Sequence, residues 1–230
     1  MQNLPSAETY HKEVQYMPWD DLITQIANFV VENIPKEGTV LDLICGTGYL
    51  IGKIQAERPD ILFTGIDLES KYINYAKGKY PDAKLYVSDA LEWDSKTRFN
   101  AALCTGGLHH LPYNKQEKFI HKISAHVKRD GFAIVGDPYI EDYSNEQERR
   151  VAAEKLGNEY LKATIEKKAP SDVVKAAKNL IKNDVELVEF KTSIKKIEPY
   201  FNEYFSSVEK HKTWPKEDTE YGDYYFILKN

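Results

Sequence analysis

The stretch Thr39–Leu50, TVLDLICGTGYL, constrains this chain more than any other. Its first half is apolar and rich in branched side chains, and it breaks abruptly into Cys45-Gly46-Thr47-Gly48. Such a run, ended by glycines, reads as a parallel strand buried on both faces, with a helix predicted to begin near Gly48. A chain leaving that strand aims amide N–H groups beyond the strand's carboxyl end, where the helix dipole also favours negative charge. Glycine suits the turn because it accepts positive φ and lets a ligand press against the backbone. The segment is a nucleotide-type binding loop; the plainer alternative is an ordinary strand-to-helix turn.

Two acids bear on that choice. Asp67 lies 19 residues beyond Gly48 and closes a second apolar run, Ile61 to Ile66. An acid at that distance is placed to hydrogen-bond a ribose diol. A third predicted strand, Lys84 to Ser88, ends in Ser88-Asp89-Ala90. A glycine turn and two acids closing three successive strands resemble the class I S-adenosylmethionine-dependent methyltransferases of the small-molecule type. The resemblance runs from about Tyr10 to Lys229.

The resemblance implies S-adenosylmethionine as cofactor and S-adenosylhomocysteine as its product. It implies that the turn (Ile44, Cys45, Gly46 and Gly48, after Asp42 in the strand) holds the methionine part. Asp67 with Leu68 would take the ribose, and Ser88, Asp89 and Ala90 the adenine. Thr105 and Gly106 after strand four, and Tyr16 ahead of strand one, complete the implied cofactor set. Ile44 departs from the family, which usually has glycine there, and its branched side chain narrows the space beside the methionine moiety.

Strand four, Asn100 to Thr105, delivers the second motif, Thr105-Gly106-Gly107-Leu108-His109-His110-Leu111-Pro112. Methyl transfer is an in-line displacement that needs alignment, exclusion of water and, for hydroxyl or amine acceptors, removal of a proton. Histidine does the last of these near neutrality. Aligned on Leu111, His110 falls where several small-molecule relatives keep a histidine, and His109 is the neighbouring candidate. The alternative is that one of them caps a helix or holds the cofactor loop.

The Asn/Asp-Pro-Pro-aromatic sequence of base and glutamine methylating relatives is absent here, and no acid lies in Asn100–Leu111. His121 and His126 are five apart and do not share a helical face. The expected reaction is independent of metal.

Charge and cysteines narrow the partners. A formal net charge of −5 argues against extended nucleic-acid contact, which needs a phosphate-neutralising surface. Two cysteines, Cys45 and Cys104, argue against a disulfide framework and fit a reducing compartment. The segment MQNLPSAETYHKE lacks a basic region followed by an apolar core, and no apolar run is long enough for a membrane span. A cytoplasmic monomer or homodimer acting on a small-molecule methyl acceptor is expected.

The remaining elements follow from periodicity and turn residues. Asp20 or Asp21 is predicted to cap a helix to about Asn33, and Asn114 with Glu117 a helix to about Lys128. Strand five is predicted over Phe132–Gly136, after a turn at Asp130-Gly131. Residues 140–190 depart from a minimal core: Ser144 with Gln147 opens one helix, striped by Ala152, Leu156, Tyr160 and Ala163, and Pro170-Ser171-Asp172 opens another. Placed after strand five, this insertion reads as a helical lid, with a dimerisation element as the alternative.

Trp19, Tyr139, Tyr143 and Trp214 are the aromatic candidates for the acceptor pocket. A helix from Ile194 precedes strands Ser207–Lys212 and Tyr224–Leu228, which pair antiparallel because no helix separates them. That hairpin separates this fold from a NAD-linked oxidoreductase.

The chain is thus expected to form one domain over 1–230: cap helices (1–38), cofactor core (39–139), lid (140–190), then helix and hairpin (191–230). The architecture is a three-layer α/β/α fold, with a seven-stranded, mostly parallel sheet whose last strand is antiparallel. The expected activity is methyl transfer to an O or N atom of a small molecule. A cofactor-binding subunit that catalyses nothing is the alternative from another class.

Overall fold

The computed structural model describes residues 5–186 and 188–230. The first four residues of the stretch read as lacking a leader lie outside it. In chain order the elements are α1 (Ala7–Glu13), a 3-10 turn (Val14–Tyr16), α2 (Trp19–Asn33), β1 (Thr39–Leu43), α3 (Tyr49–Glu57), β2 (Leu62–Asp67), α4 (Ser70–Lys79) and β3 (Lys84–Val87). There follow β4 (Phe99–Thr105), a 3-10 turn (Leu108–His110), α5 (Tyr113–His126), β5 (Val127–Tyr139), α6 (Glu146–Glu166) and α7 (Ser171–Val185). Last come α8 (Ile194–Tyr204), β6 (Ser207–Trp214) and β7 (Gly222–Lys229).

Among the described residues the strands form one seven-stranded sheet in the order β3-β2-β1-β4-β5-β7-β6. β1 pairs in parallel with β2 and β4, and β4 with β5, whereas β7 runs antiparallel to both β5 and β6. Central strands are covered by helices on both faces, so Val40, Leu41, Leu43, Leu103, Ile134 and Val135 are fully buried. The edge strand β6 instead reads SVEKHKTW and keeps charged residues on its open side, which discourages pairing with another chain. Reversal of strand order between β1 and β4 leaves a crevice at their carboxyl ends, where α/β sheets bind ligands.

Four local readings change. α2 starts at Trp19 behind Pro18 with no side-chain cap, because Asp20 binds the Tyr49 hydroxyl and Lys53 instead. α5 likewise starts behind Pro112, without the expected capping box. The box forms at α6, one residue later than expected: Asn145 accepts from the Glu148 N–H while Glu148 accepts from the Ser144 N–H. Asp130-Gly131 is no turn but part of β5, where a Cβ on Gly131 would lie 2.6 Å from the Asn100 carbonyl oxygen.

The insertion leaves the core at Ile140 and returns at Ser193, and these two residues form a parallel bridge. Its two helices cross closely, since a Cβ on Gly157 would lie 2.7 Å from Ile181. The α6 stripe ends on Thr164, which is buried, while Ala163 is only half-buried. Arg149 of α6, fully buried, donates to the carbonyls of Asp184 and Val185 and so satisfies the end of α7. Met17 of the N-terminal segment packs with Val173 and Ala177 of α7, so the cap and the insertion form one roof over the strand ends. Among the described residues no helix is long and apolar enough to cross a membrane.

Candidate active site

Beneath that roof lies a cavity of about 460 Å³, within the range of small-ligand sites. Its floor comes from the strand ends. Ile44 follows β1 at φ 63°, a left-handed conformation costly for a β-branched residue, and Gly46 and Gly48 follow at φ 54° and 74°. This turn directs the Gly46 N–H onto Asp67 Oδ2 at 2.8 Å, while Asp67 Oδ1 accepts from the Glu69 N–H at 2.8 Å. Two backbone donors thereby fix the carboxylate at the end of β2. Burial still pushes Asp67 above its ordinary range, although those donors act against it.

The buried Asp42 carboxyl lies behind the turn, raised to about 8 by its burial and by the charge of Asp67. At the end of β3, Asp89 Oδ1 accepts from the Leu91 N–H at 2.8 Å. Asp89, Ala90 and Leu91 all face the cavity. Thr105 Oγ1 and Trp19 Nε1 are buried polar atoms without a partner among the described residues, and both residues border a recess beside Gly46.

The opposite side of the cavity is built around two histidines. The 3-10 turn after β4 carries both, and Asp137, near the end of β5, grips the first twice. Its Oδ2 accepts from the His109 N–H at 3.1 Å and its Oδ1 from the His109 Nδ1–H at 3.0 Å. That tautomer leaves a lone pair on Nε2, which lies 3.7 Å from Glu189 Oε2. Burial pulls His109 down, and the charge and hydrogen bond of Asp137 outweigh it, so its pKa rises. His110, with ring centroid 4.1 Å from that of His109, is lowered to about 3 by burial and its neighbour, and its Nδ1 has no partner among the described residues.

Behind Glu189, Lys191 Nζ lies 2.8 Å from Glu189 Oε2 and 2.5 Å from Asp184 Oδ1. Burial opposes the charge on Glu189, but Lys191 outweighs it and holds the carboxyl well below its usual range. His109, His110 and Glu189 offer ligand atoms within 4.8 Å of one another, close enough to share a cation. The Lys191 ammonium already faces the Glu189 oxygen of that set.

Of the expected site residues, Ile44, Gly46, Asp67, Leu68, Asp89 and Ala90 line this cavity, as do Gly106, His109, His110 and Trp19. Cys45, Asp42 and Thr105 border the adjoining recess. The remainder lie elsewhere. Gly48 is packed under Tyr80, and Ser88 turns its N–H to the Asp67 carbonyl. Tyr16 packs beside Met17 and α7, one helical turn too far along to face the cavity. Tyr139 is buried against Phe226 and Tyr224, Tyr143 lies under Lys196, and Trp214 packs edge-on to Tyr160. Trp93, in the loop after β3, stacks on His126.

Tyr10, Glu13, Tyr72 and Glu189 also face the cavity, with Asp137 and Lys191 behind the histidine, and the sequence reading assigned none of them a role. Tyr10 stacks on Tyr72 with centroids 5.0 Å apart, and its ring lies 3.3 Å from where a Gly46 Cβ would stand. Asp137 carried a usable signal: it is an acid near the end of a buried strand, as Asp67 is. Glu189 and Lys191 carried none beyond two charges in VEFKT.

The fold is that of the class I S-adenosylmethionine-dependent methyltransferases. Residues 40–131 match the family described as a methyltransferase domain. A dTDP-3-amino-3,6-dideoxy-alpha-D-glucopyranose N,N-dimethyltransferase of Streptomyces fradiae is 26% identical over 128 residues, 55% of this chain and 46% of that protein. The chain spans about half the length of the curated relatives it matches. Two solved structures share the fold over nearly all of the chain. The plantazolicin methyltransferase, in complex with a monoazolic desmethylPZN analog and S-adenosylhomocysteine, has a TM-score of 0.66 at 10% identity, over 98% of this chain and 89% of that one. Magnesium protoporphyrin IX methyltransferase of Synechocystis PCC 6803 has a TM-score of 0.62 at 16% identity, over 95% and 86%.

Proposed function

We propose that this chain transfers a methyl group from S-adenosylmethionine to an oxygen or nitrogen atom of a small molecule, without a metal. The observation that carries the reading is a meeting in one cavity: a glycine turn and two strand-end acids face a histidine oriented by a buried carboxylate.

The residues fit the cofactor. A carboxylate has about four lone-pair sites, so Asp67 keeps acceptor capacity for ribose hydroxyls after binding two N–H groups. The partnerless Thr105 Oγ1 and Trp19 Nε1 suit the polar end of such a ligand. Bound there, S-adenosylmethionine supplies an electrophilic methyl group. His109 Nε2 removes the acceptor's proton, Asp137 keeps its tautomer, and Glu189 stabilises the imidazolium that forms. His110, neutral across the physiological range, offers hydrogen bonds to the acceptor. The helices of residues 141–192 act as a lid that excludes water. Free thiols at Cys45 and Cys104 accord with a cytoplasmic enzyme, acting as a monomer or homodimer.

Calorimetry with S-adenosylhomocysteine tests the cofactor half. Asp67→Ala should weaken binding tenfold or more, from the loss of hydrogen bonds to a charged group. A wild-type protein that binds no S-adenosylhomocysteine would end the reading. For the acceptor half, His109→Ala should slow single-turnover transfer by ~10²–10⁴, and His110→Ala by less.

A further inference from the structure

Among the described residues, one carboxylate in the cavity keeps a buried oxygen that no other group answers. Asp67 and Asp89 take backbone N–H groups, Glu189 accepts from Lys191, and Asp172 at the rim lies 3.7 Å from Lys12. Glu13 has no such arrangement. It ends α1 facing the cavity, is 5% exposed, and its Oε1 is buried with no hydrogen-bond partner among the described residues. Burying an ionised carboxylate without a partner is among the costlier things a protein can do. An arriving ligand that completes Glu13 must donate a hydrogen bond, and a cation completes it best.

The surroundings favour the same ligand. Tyr10, one helical turn before Glu13, stacks on Tyr72 and meets Trp19 edge-on with centroids 6.3 Å apart, and all three rings line the cavity with the carboxylate. Aromatic rings in such a cavity attract cations. Among the described residues, the acids lining the cavity outnumber the ammonium groups, which are Lys115 and Lys175 at the exposed rim. An anionic acceptor would meet repulsion from Glu13 and Asp172 together, because the charge of Asp172 already adds to burial in raising Glu13 to about 7.

We propose that Glu13 receives an ammonium group of the methyl acceptor, which is therefore a cationic, amine-bearing small molecule. This rests on the methyltransferase reading above and narrows its substrate. The cofactor carries an ammonium group of its own, so the test must tell the two sources apart.

Calorimetry on the full chain does so with two ligands in turn. S-adenosylhomocysteine is titrated first; the loaded protein is then titrated with butylammonium, benzylammonium and cyclohexylammonium, and with the alcohols of the same carbon skeletons. The expected result is at least a tenfold preference for the ammonium ions over their alcohols in the wild type. Glu13→Gln should remove that preference while leaving S-adenosylhomocysteine affinity within about twofold. Equal binding of amines and alcohols by the loaded wild type overturns the proposal and needs no variant to do so. Loss of S-adenosylhomocysteine affinity in Glu13→Gln also overturns it, by assigning Glu13 to the cofactor. Failure of the wild type to bind S-adenosylhomocysteine at all is a separate result that removes the methyltransferase reading itself. Glu13→Ala is the second variant if the glutamine protein does not fold.

Discussion

Asp137 holds His109 by backbone and ring at once, so a substitution there separates orientation from charge. Asp137→Asn keeps the size of the side chain and removes the charge that raises His109. A base works only when deprotonated, so the wild-type rate should fall as pH drops through the raised His109 value. In Asp137→Asn the acid limb should move to lower pH and the plateau should fall about tenfold or more, as the tautomer is no longer enforced. An unmoved limb in a folded variant would remove His109 as the base. Glu13 gives a prediction of stability at the same scale. Its folded value of about 7 lies above the ~4.3 of an exposed glutamate. A raised acid adds stability that is present below the unfolded value and lost as pH rises through the folded one. Glu13→Gln should therefore melt higher than wild type at pH 7.5, by roughly 2–4 °C for each kcal/mol regained, with the difference fading towards pH 4.5. A lower melting temperature at pH 7.5 would show that Glu13 has a partner. The sequence reading put His110 ahead of His109 as the base, and the order proposed above is the reverse. That order depends on Asp137, 28 positions away, and on Glu189, a further 52, and no local pattern records such pairings.

At the scale of elements, the Ile140–Ser193 bridge makes the insertion separable from the sheet. Replacing residues 142–191 with a short glycine-serine turn should leave β1, β2 and β3, and so S-adenosylhomocysteine affinity, largely intact. Transfer should be abolished, because Glu189 leaves and the cavity opens to water. The deletion uncovers Met17 and Trp19, so solubility must be checked first by gel filtration. A soluble deletion protein that still methylates its acceptor would rule out the lid. The central strands were legible because a strand covered on both faces is apolar over most of its length, and β1, β2 and β4 are. Boundaries were less so. The long start of β5, from Val127, depends on backbone contact with Phe99 and Asn100, and charged Lys128, Arg129 and Asp130 hide it. The aromatic candidates failed to gather for a related reason: Tyr139, Tyr143 and Trp214 are large rings near a sheet edge, and packing claimed them before the cavity did.

Across the whole molecule, one buried chain of charge joins the insertion to the sheet: Asp184 of α7, then Lys191, Glu189, His109 and finally Asp137 of β5. Lys191 is its centre, fully enclosed and contacting two carboxylates. Burial works against its charge, yet Asp184 and Glu189 raise it above its ordinary value. A base raised in this way stabilises fully below its unfolded value of ~10.4 and loses that contribution only above it. Glu189, held low, contributes above ~4.3 and loses its contribution as pH falls through its depressed value. The pair therefore stabilises the junction of lid and core across the neutral range. Lys191→Met keeps the volume of the side chain and leaves two carboxylates buried without their cation, which should cost about 3–5 kcal/mol in urea unfolding at pH 7.5. Without Lys191 the largest force opposing burial is gone and Glu189 should titrate higher than in the wild type, so the variant gains more stability on acidification than the wild-type pair does. The deficit should accordingly shrink between pH 7.5 and pH 4.5, and the variant should unfold from the insertion first, seen as early loss of amide protection in α7. A deficit equal at both pH values would mean that the charges of Asp184 and Glu189 are satisfied without Lys191, and that apolar packing alone joins the lid to the core.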